Sequence, residues 1–282
     1  MAPVEIISAV ILGVVQGLTE LLPISSSAHL IVVHRLLGWE AQGLVFDVAL
    51  HVGTSAAILA YFWRDWIDLA REMLLGIRER QLLGNAQRRL ACFLIVGTLP
   101  AAAAGVALEV YIETHLRSLL IPVFTLVAFG AVMYFAERWS RQDRSLEKLT
   151  WADSLWIGLS QALALIPGVS RSGITISTAL ARDIDRISAA RFSFLLSTPV
   201  IVGAGMLEGW HLVKAVRTPA GSPGPEIQWL LMAVGAATAA ITGFLCIRYF
   251  LRYLQTHTLT PFVIYRIIFA GVTLLVYLTY SR

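Results

Sequence analysis

The sequence is poor in charge. Only 14% of its 282 residues are Asp, Glu, Lys or Arg, against about 25% in ordinary soluble domains. Hydrophobic residues make up 57%, and mean hydropathy is +0.72. That balance excludes a soluble globule and a disordered tail. Cysteine is scarce too. Cys92 and Cys246 lie far apart in apolar stretches, which leaves neither a disulfide framework nor a metal-binding spacing. The excess of base over acid is only +4, so nothing points to nucleic acid; in a membrane chain such an excess marks cytoplasmic loops. No basic residue precedes the first apolar run, so no cleaved signal peptide is expected. What the chain has in abundance is long apolar runs, and the expected fold class is an all-α polytopic membrane protein.

Backbone groups in hydrocarbon must bond internally, so these runs read as helices. Six look long enough to span a bilayer: 44–63, 90–108, 118–136, 190–207, 227–247 and 261–280. Two stretches, 4–38 and 152–181, are apolar on both flanks and polar in the middle. In the first, Pro23 precedes Ile24-Ser25-Ser26-Ser27-Ala28-His29; in the second, Pro167-Gly168 precedes Val169-Ser170-Arg171-Ser172-Gly173. Proline removes a backbone donor and clashes with the preceding turn, and the small hydroxylated residues favour a turn and a helix N-cap. Each stretch is therefore expected to form a re-entrant or broken helix pair. Gly13-Val14-Val15-Gln16 opens the first and Gly158-Leu159-Ser160-Gln161 the second; farther on, Phe93-Leu94-Ile95 before Pro100 and Gly105 parallels Phe194-Leu195-Leu196 before Pro199 and Gly205. The expected organisation is one membrane domain, 1–282, built from two repeats, 1–140 and 151–282. With three crossings in each half, an odd number, the second repeat must be inverted relative to the first.

Fifteen Lys and Arg residues fall in loops 64–89, 137–150, 182–191 and 248–260; five (Arg35, Arg117, Lys214, Arg217 and Arg282) fall on the other side. Positive charge stays inside, so the first set is expected in the cytoplasm and both termini outside. The first hairpin then enters from outside and the second from the cytoplasm, which lets their polar elbows meet within the bilayer. In loop 64–89, Trp66, Ile67, Ala70, Met73, Leu74 and Ile77 recur at helical spacing with Arg71, Arg78 and Arg80 between them. The pattern suits a helix lying on the interface and equally a solvated connector. Segment 218–226 reads as a flexible external connector. Trp39, Trp63, Trp139, Trp151, Trp210 and Trp229 fall near segment ends, as interfacial anchors do.

Ionisable groups inside membrane segments are functional candidates by default. Gln16 and Glu20, four apart, share one helix face. A carboxylate there can hold a metal ion or take a proton from a nucleophile, and Gln16 can add an oxygen ligand or a hydrogen bond. The bland alternative has Glu20 ending a helix in water. One of Ser25, Ser26 and Ser27 suffices as an N-cap, and capping does not explain three. A helix N-terminus suits an anion, and a hydroxyl there is a nucleophile when a base is near. His29 is poised near neutral pH, or else it only bonds a carbonyl. Arg171, between Ser170 and Ser172, can grip phosphate oxygens bidentately; a structural ion pair with Glu20 is its bland alternative. Asp47 and His51 read as solvated near the outer end of their helix, and Arg266 as a support behind the site. A carboxylate, hydroxyls, an imidazole and an arginine make an inventory for phosphoryl transfer, and the surrounding bilayer points to a lipid-linked phosphate. A lipid-carrier flippase without hydrolysis and a purely structural membrane protein are the competing classes.

Gln16-Gly17-Leu18-Thr19-Glu20-Leu21-Leu22-Pro23-Ile24-Ser25-Ser26-Ser27-Ala28-His29 closely resembles the first signature of the bacterial undecaprenyl-diphosphatase family, the bacitracin-resistance type. Pro167-Gly168-Val169-Ser170-Arg171-Ser172-Gly173-Ile174-Thr175 resembles its second, and Pro261-Phe262-Val263-Ile264-Tyr265-Arg266 its closing segment. The resemblance implies inverted repeats with re-entrant helices in the bacterial inner membrane. It also implies hydrolysis of undecaprenyl diphosphate to undecaprenyl phosphate and phosphate, which recycles the carrier lipid for wall synthesis, supported by a divalent cation, Mg²⁺ or Ca²⁺. Carried over, it makes Glu20 the key carboxylate, Ser26 the nucleophile, His29 its partner and Arg171 the phosphate clamp. Ser25, Ser27, Ser170, Ser172 and Thr175 join the phosphate site, and Gln16 and Glu20 form the metal site. Gln16 stands where many members carry Glu, so a two-carboxylate metal site is in doubt here. The expected partners are the diphosphate lipid and membrane lipids, with a homodimer admitted.

Overall fold

The computed structural model describes residues 3–38, 43–116, 118–216 and 229–280. Among them are eleven α-helices and no β-strand. Trp39, Arg117, Arg217, Arg282 and the connector 218–226 lie outside the described residues, as do the side chains of Trp210 and Lys214. The first expected broken pair is α1 (Pro3–Thr19) and α2 (Ser26–Leu37), with Pro23 in the turn between them. The second is α7 (Trp151–Ala162) and α8 (Arg171–Ala181), joined through a 3₁₀ turn at Leu163–Leu165 and Pro167. Three long helices follow the first pair: α3 (Gly43–Tyr61), α5 (Ala86–His115) and α6 (Leu120–Trp139). Three follow the second: α9 (Arg186–Val216), α10 (Trp229–Tyr253) and α11 (Thr260–Tyr280).

Among the described residues, four helices are long and apolar enough to cross a membrane: Ala86–Leu108 of α5, α6, α10 and α11. They coincide with four of the six expected runs. The run at 44–63 lies in α3, which passes the same test only together with α4 (Trp63–Arg78), bent from it by 74°. The run at 190–207 lies in α9, outside this set. Ala189, Ala190, Phe192, Phe194, Leu195 and Leu196 are all at most 1% exposed, so this stretch is wrapped by protein. The chain is thus a multi-pass helical membrane protein. Trp63, Trp139, Trp151 and Trp229 sit at helix ends, each at least 45% exposed.

Small residues set the close helix contacts, as lipid-embedded packing favours. On α1, Gly13 and Gly17 face α10 so closely that a Cβ on Gly17 would lie 2.7 Å from Thr242 Cβ. Gly97 of α5 and Gly158 of α7 meet backbone to backbone in the same way.

Ion pairs gather at one end. Arg191 pairs with Asp65 (2.7 Å), Arg186 with Glu137, and Glu137 Oε2 accepts from Leu259 N (3.3 Å). Asp153, in the first turn of α7, pairs with Arg144 (2.5 Å) and Arg182 (2.8 Å). Burial pushes its carboxyl up, but hydrogen bonds from Arg144, Arg182 and Thr150 outweigh that and bring its pKa to about 2. The four basic loops grouped by charge therefore share one end of the molecule.

A candidate active site where two broken helices meet

Breaking a helix in apolar surroundings exposes carbonyl and N–H groups that need partners. The two elbows supply partners to each other. Ser172 Oγ donates to Leu22 O (3.0 Å), and Gly168 N donates to Ser27 Oγ (3.4 Å). Gly168 has φ +89, and a Cβ there would overlap Thr125 and Pro122, so only glycine fits this turn. The serines ahead of α2 and α8 match in conformation: Ser25 has φ +75 and Ser170 φ +72. Non-glycine residues held in such sparsely populated regions cost about 1–3 kcal/mol each, and they concentrate at functional sites. Ser170 Oγ caps its helix by accepting from Gly173 N (3.1 Å). Ser25 makes no such cap and contacts Ser27 Oγ instead (3.2 Å), and among the described residues no side chain bonds the first-turn N–H groups of α2.

Glu20 is 7% exposed and sits where the elbows meet. Its Oε1 accepts from Arg171 Nη2 at 2.7 Å. Its Oε2 accepts from Ser26 Oγ at 2.5 Å and from Gln16 Nε2 at 3.1 Å. Among the described residues Arg171 Nη1 is buried with no partner, as is Gln16 Oε1. The guanidinium thus spends one arm on Glu20 and keeps the other for an incoming acceptor. A hydroxyl, a carboxylate touching it and a half-committed arginine form a compact polar cluster, and the Glu20–Arg171 ion pair ties the two elbows together within it.

The other expected site residues divide. Glu20, not His29, is hydrogen-bonded to Ser26. His29 Nδ1 donates to Ser25 O (2.7 Å), which leaves Nε2 to accept from the Tyr265 hydroxyl (2.7 Å). Its ring stacks on Phe269 at 3.8 Å. Thr175 Oγ1 bonds Arg171 O and Ser193 Oγ, both at 2.7 Å, and so faces α9. Ser172 and Ser170 hydroxyls are 3.3 Å apart beside Arg171.

Two residues join the site that sequence reasoning left aside. His51, read there as solvated, has Nδ1 3.0 Å from Gln16 Nε2 and 3.5 Å from Glu20 Oε2. The signal available was its place on a polar i, i+4 face of an apolar helix. Tyr265 carried a signal only as the neighbour of Arg266.

A divalent cation would find a limited donor set. Among the described residues no three His, Cys, Asp or Glu side chains converge. One carboxylate and the unpartnered buried oxygen of Gln16 are what the pocket offers. Such a set fits Mg²⁺ better than a cage-bound ion, because Mg²⁺ keeps waters and is held by one or two carboxylates plus substrate phosphates.

Arg266 is 1% exposed and pairs with no carboxylate among the described residues. It donates to five carbonyls: Pro23 (3.3 Å) of the first elbow, Gly168 (2.9 Å) and Val169 (3.1 Å) of the second, and Thr125 (3.3 Å) and Leu126 (3.1 Å) of α6. Three of these carbonyls, at Pro23, Gly168 and Val169, lie at the chain breaks where the helical i+4 donor is lost, and the guanidinium takes its place. Arg266→Met is expected to lower the melting temperature and to cost about 10–100-fold in kcat, since small misplacements of reacting groups have effects of that size. Arg266→Lys should recover part of both losses. Calorimetry checks the first effect and steady-state kinetics the second, and an unimpaired Arg266→Met protein contradicts both.

The chain matches the family model described as bacitracin resistance protein BacA over residues 9–272. It is 46% identical over 267 residues to an undecaprenyl-diphosphatase of Desulforudis audaxviator, covering 95% of each chain. It is 44% identical over 281 residues to one from Thermomicrobium roseum, covering 97% of this chain and 98% of that one. A third, from Geobacter sulfurreducens, is 46% identical over 271 residues, with 96% and 97% covered.

Proposed function

The chain belongs to the bacitracin resistance protein BacA family, and from that premise and the pocket geometry we propose that it is an undecaprenyl-diphosphate phosphatase. It hydrolyses undecaprenyl diphosphate to undecaprenyl phosphate and inorganic phosphate, and so recycles the carrier lipid for wall synthesis. The observation that carries this reading is the convergence of Ser26, Glu20 and Arg171 across the two elbows, with one guanidinium arm unpartnered.

The diphosphate head enters the pocket while the polyprenyl tail stays in lipid between helices. Arg171 Nη1 and the uncapped N–H groups of α2 hold the terminal phosphate. Glu20 takes the proton of Ser26 Oγ as that oxygen bonds to the terminal phosphorus, and the bond to the bridging oxygen breaks to release undecaprenyl phosphate. Glu20 passes that proton to the departing undecaprenyl phosphate; the freed carboxylate then takes a proton from water as the water oxygen attacks the phosphoserine, and returns it to Ser26 Oγ as the phosphorus–Oγ bond breaks and phosphate leaves. His29, held by Ser25 and Tyr265, orients the start of α2. Gln16 Oε1 and Glu20 are the residues that would hold Mg²⁺ or Ca²⁺, and a bound ion supplies charge neutralisation on the phosphate oxygens.

The architecture we infer is two inverted repeats, α1–α6 and α7–α11, with α4 an addition to the first. The paired elbows, the matched serine conformations and the three long helices after each elbow support it. Crossings by α3, α5, α6, α9, α10 and α11 follow, with the ion-paired end in the cytoplasm by its positive charge. The pocket then opens to the outer side of the bacterial inner membrane.

The test is release of inorganic phosphate from undecaprenyl diphosphate by the purified protein. Ser26→Ala is expected to lower the rate at least about 100-fold. A full rate in that variant assigns the attack to water, and no release by the wild type sinks the whole reading.

A further inference from the structure

Helix α4 carries three arginines (Arg64, Arg71, Arg78) and three acids (Asp65, Asp68, Glu72), so its formal charge balances. The structure unbalances it. Asp65 is taken by Arg191 of α9 at 2.7 Å, and Glu72 by Arg88 of α5 at 3.1 Å and by Asn85 at 2.7 Å. Arg64, Arg71 and Arg78 are exposed, and none pairs with a carboxylate among the described residues. Arg64 lies instead over the Trp63 ring. Two of the three acids are thus neutralised inward; Asp68 is exposed and makes no ion pair among the described residues, so three arginines face outward with one acid and the outward field is positive.

Geometry sharpens this. At about 100° per residue the three arginines, seven apart, fall within about 40° of one another, at intervals of about 10 Å along the axis. They border the apolar stripe of Trp63, Ile67, Leu74 and Ile77, each more than half exposed. On the other edge of that stripe is a groove of about 360 Å³, floored by Trp66 and Met73 of α4, Leu94 and Leu99 of α5 and Pro199 of α9. Going round the helix, the order is basic rail, exposed apolar stripe, apolar groove. That is the order of headgroup, glycerol region and chain in a phospholipid lying beside an interfacial helix.

We infer that α4 and α5 form a binding site for an anionic glycerophospholipid, its phosphate on the Arg64–Arg71–Arg78 rail and an acyl chain in the groove. The positive rail selects the anionic headgroup over a zwitterionic one. The site is separate from the Glu20–Arg171 pocket and does not depend on hydrolysis there.

Native mass spectrometry of the full chain, released from nanodiscs of equal phosphatidylglycerol and phosphatidylcholine, reads the site directly. The wild type should retain phosphatidylglycerol over phosphatidylcholine by at least about fivefold. Arg64→Gln/Arg71→Gln/Arg78→Gln should bring the ratio to near one, with phosphatase activity in phosphatidylcholine discs unchanged. Ala70→Phe, which fills the groove, should reduce retention of both lipids. Should that variant fail to fold, the arginine triple variant, which changes only exposed side chains, carries the test alone. Equal retention by the wild type, or an unchanged ratio in the triple variant, overturns the inference. So does one-for-one displacement of the retained lipid by undecaprenyl phosphate, which would make the groove a seat for the prenyl tail.

Discussion

Glu20→Gln is expected to lower kcat about 10⁴-fold while leaving KM for undecaprenyl diphosphate within a few fold. The substitution keeps the shape of the side chain; its amide oxygen can still accept from Arg171, and its new NH2 can donate to the unpartnered Oε1 of Gln16 once that amide turns, so the elbows should stay joined. It removes the one carboxylate in reach of Ser26 Oγ, and loss of a positioned general base alone costs about 10²–10⁴. It also removes the negative charge that offsets Arg171 in a buried setting. An uncompensated guanidinium should hold a phosphate anion at least as tightly as before, so product phosphate should inhibit the variant at equal or lower concentration. Steady-state phosphate release with added inorganic phosphate measures both. A variant keeping a tenth of the wild-type rate would remove Glu20 from the chemistry.

The elbows were legible because three signals coincide there: a proline inside an apolar run, clustered serines and an ionisable side chain. Pro23 with Ser25–Ser27, and Pro167 with Ser170–Arg171–Ser172, carry the polar chemistry in a few consecutive residues. Their meeting was legible one step removed, through the asymmetry of Lys and Arg among the loops, and the ion pairs at Asp65, Glu137 and Asp153 gather those same loops. His51 was not legible. Nothing in its spacing shows that α3 turns that face toward α1; the close approach of Gly53 to Ala236 of α10 helps set it. Arg266 was visible as an intramembrane charge, but a sequence does not reveal acceptors that are backbone carbonyls from three separate segments. The run at 190–207 was legible as a helix but not in its surroundings: hydropathy does not distinguish lipid from protein, and α9 is enclosed by protein over its first half.

Arg171→Met is expected to lower kcat/KM about 10³–10⁵-fold, the range known for arginines that stabilise charge in phosphoryl transfer. Both arms of the guanidinium matter. Nη2 holds Glu20, and Nη1 is buried and unpartnered until an anion arrives. Breaking one side of a buried pair also costs about 3–5 kcal/mol of stability, because a charge is left without its partner, so a fall in activity alone would not separate clamp from scaffold. Arg171→Lys and a double variant do. Lysine restores charge as a point donor without the planar fork, so it should recover much of the stability and little of the rate. Glu20→Gln/Arg171→Met removes both buried charges, so its melting temperature should rise above that of Arg171→Met while its activity stays at background. If the double variant instead recovers phosphate release along with stability, Arg171 is a structural counter-ion, and the terminal phosphate must be held by the α2 N-terminus alone.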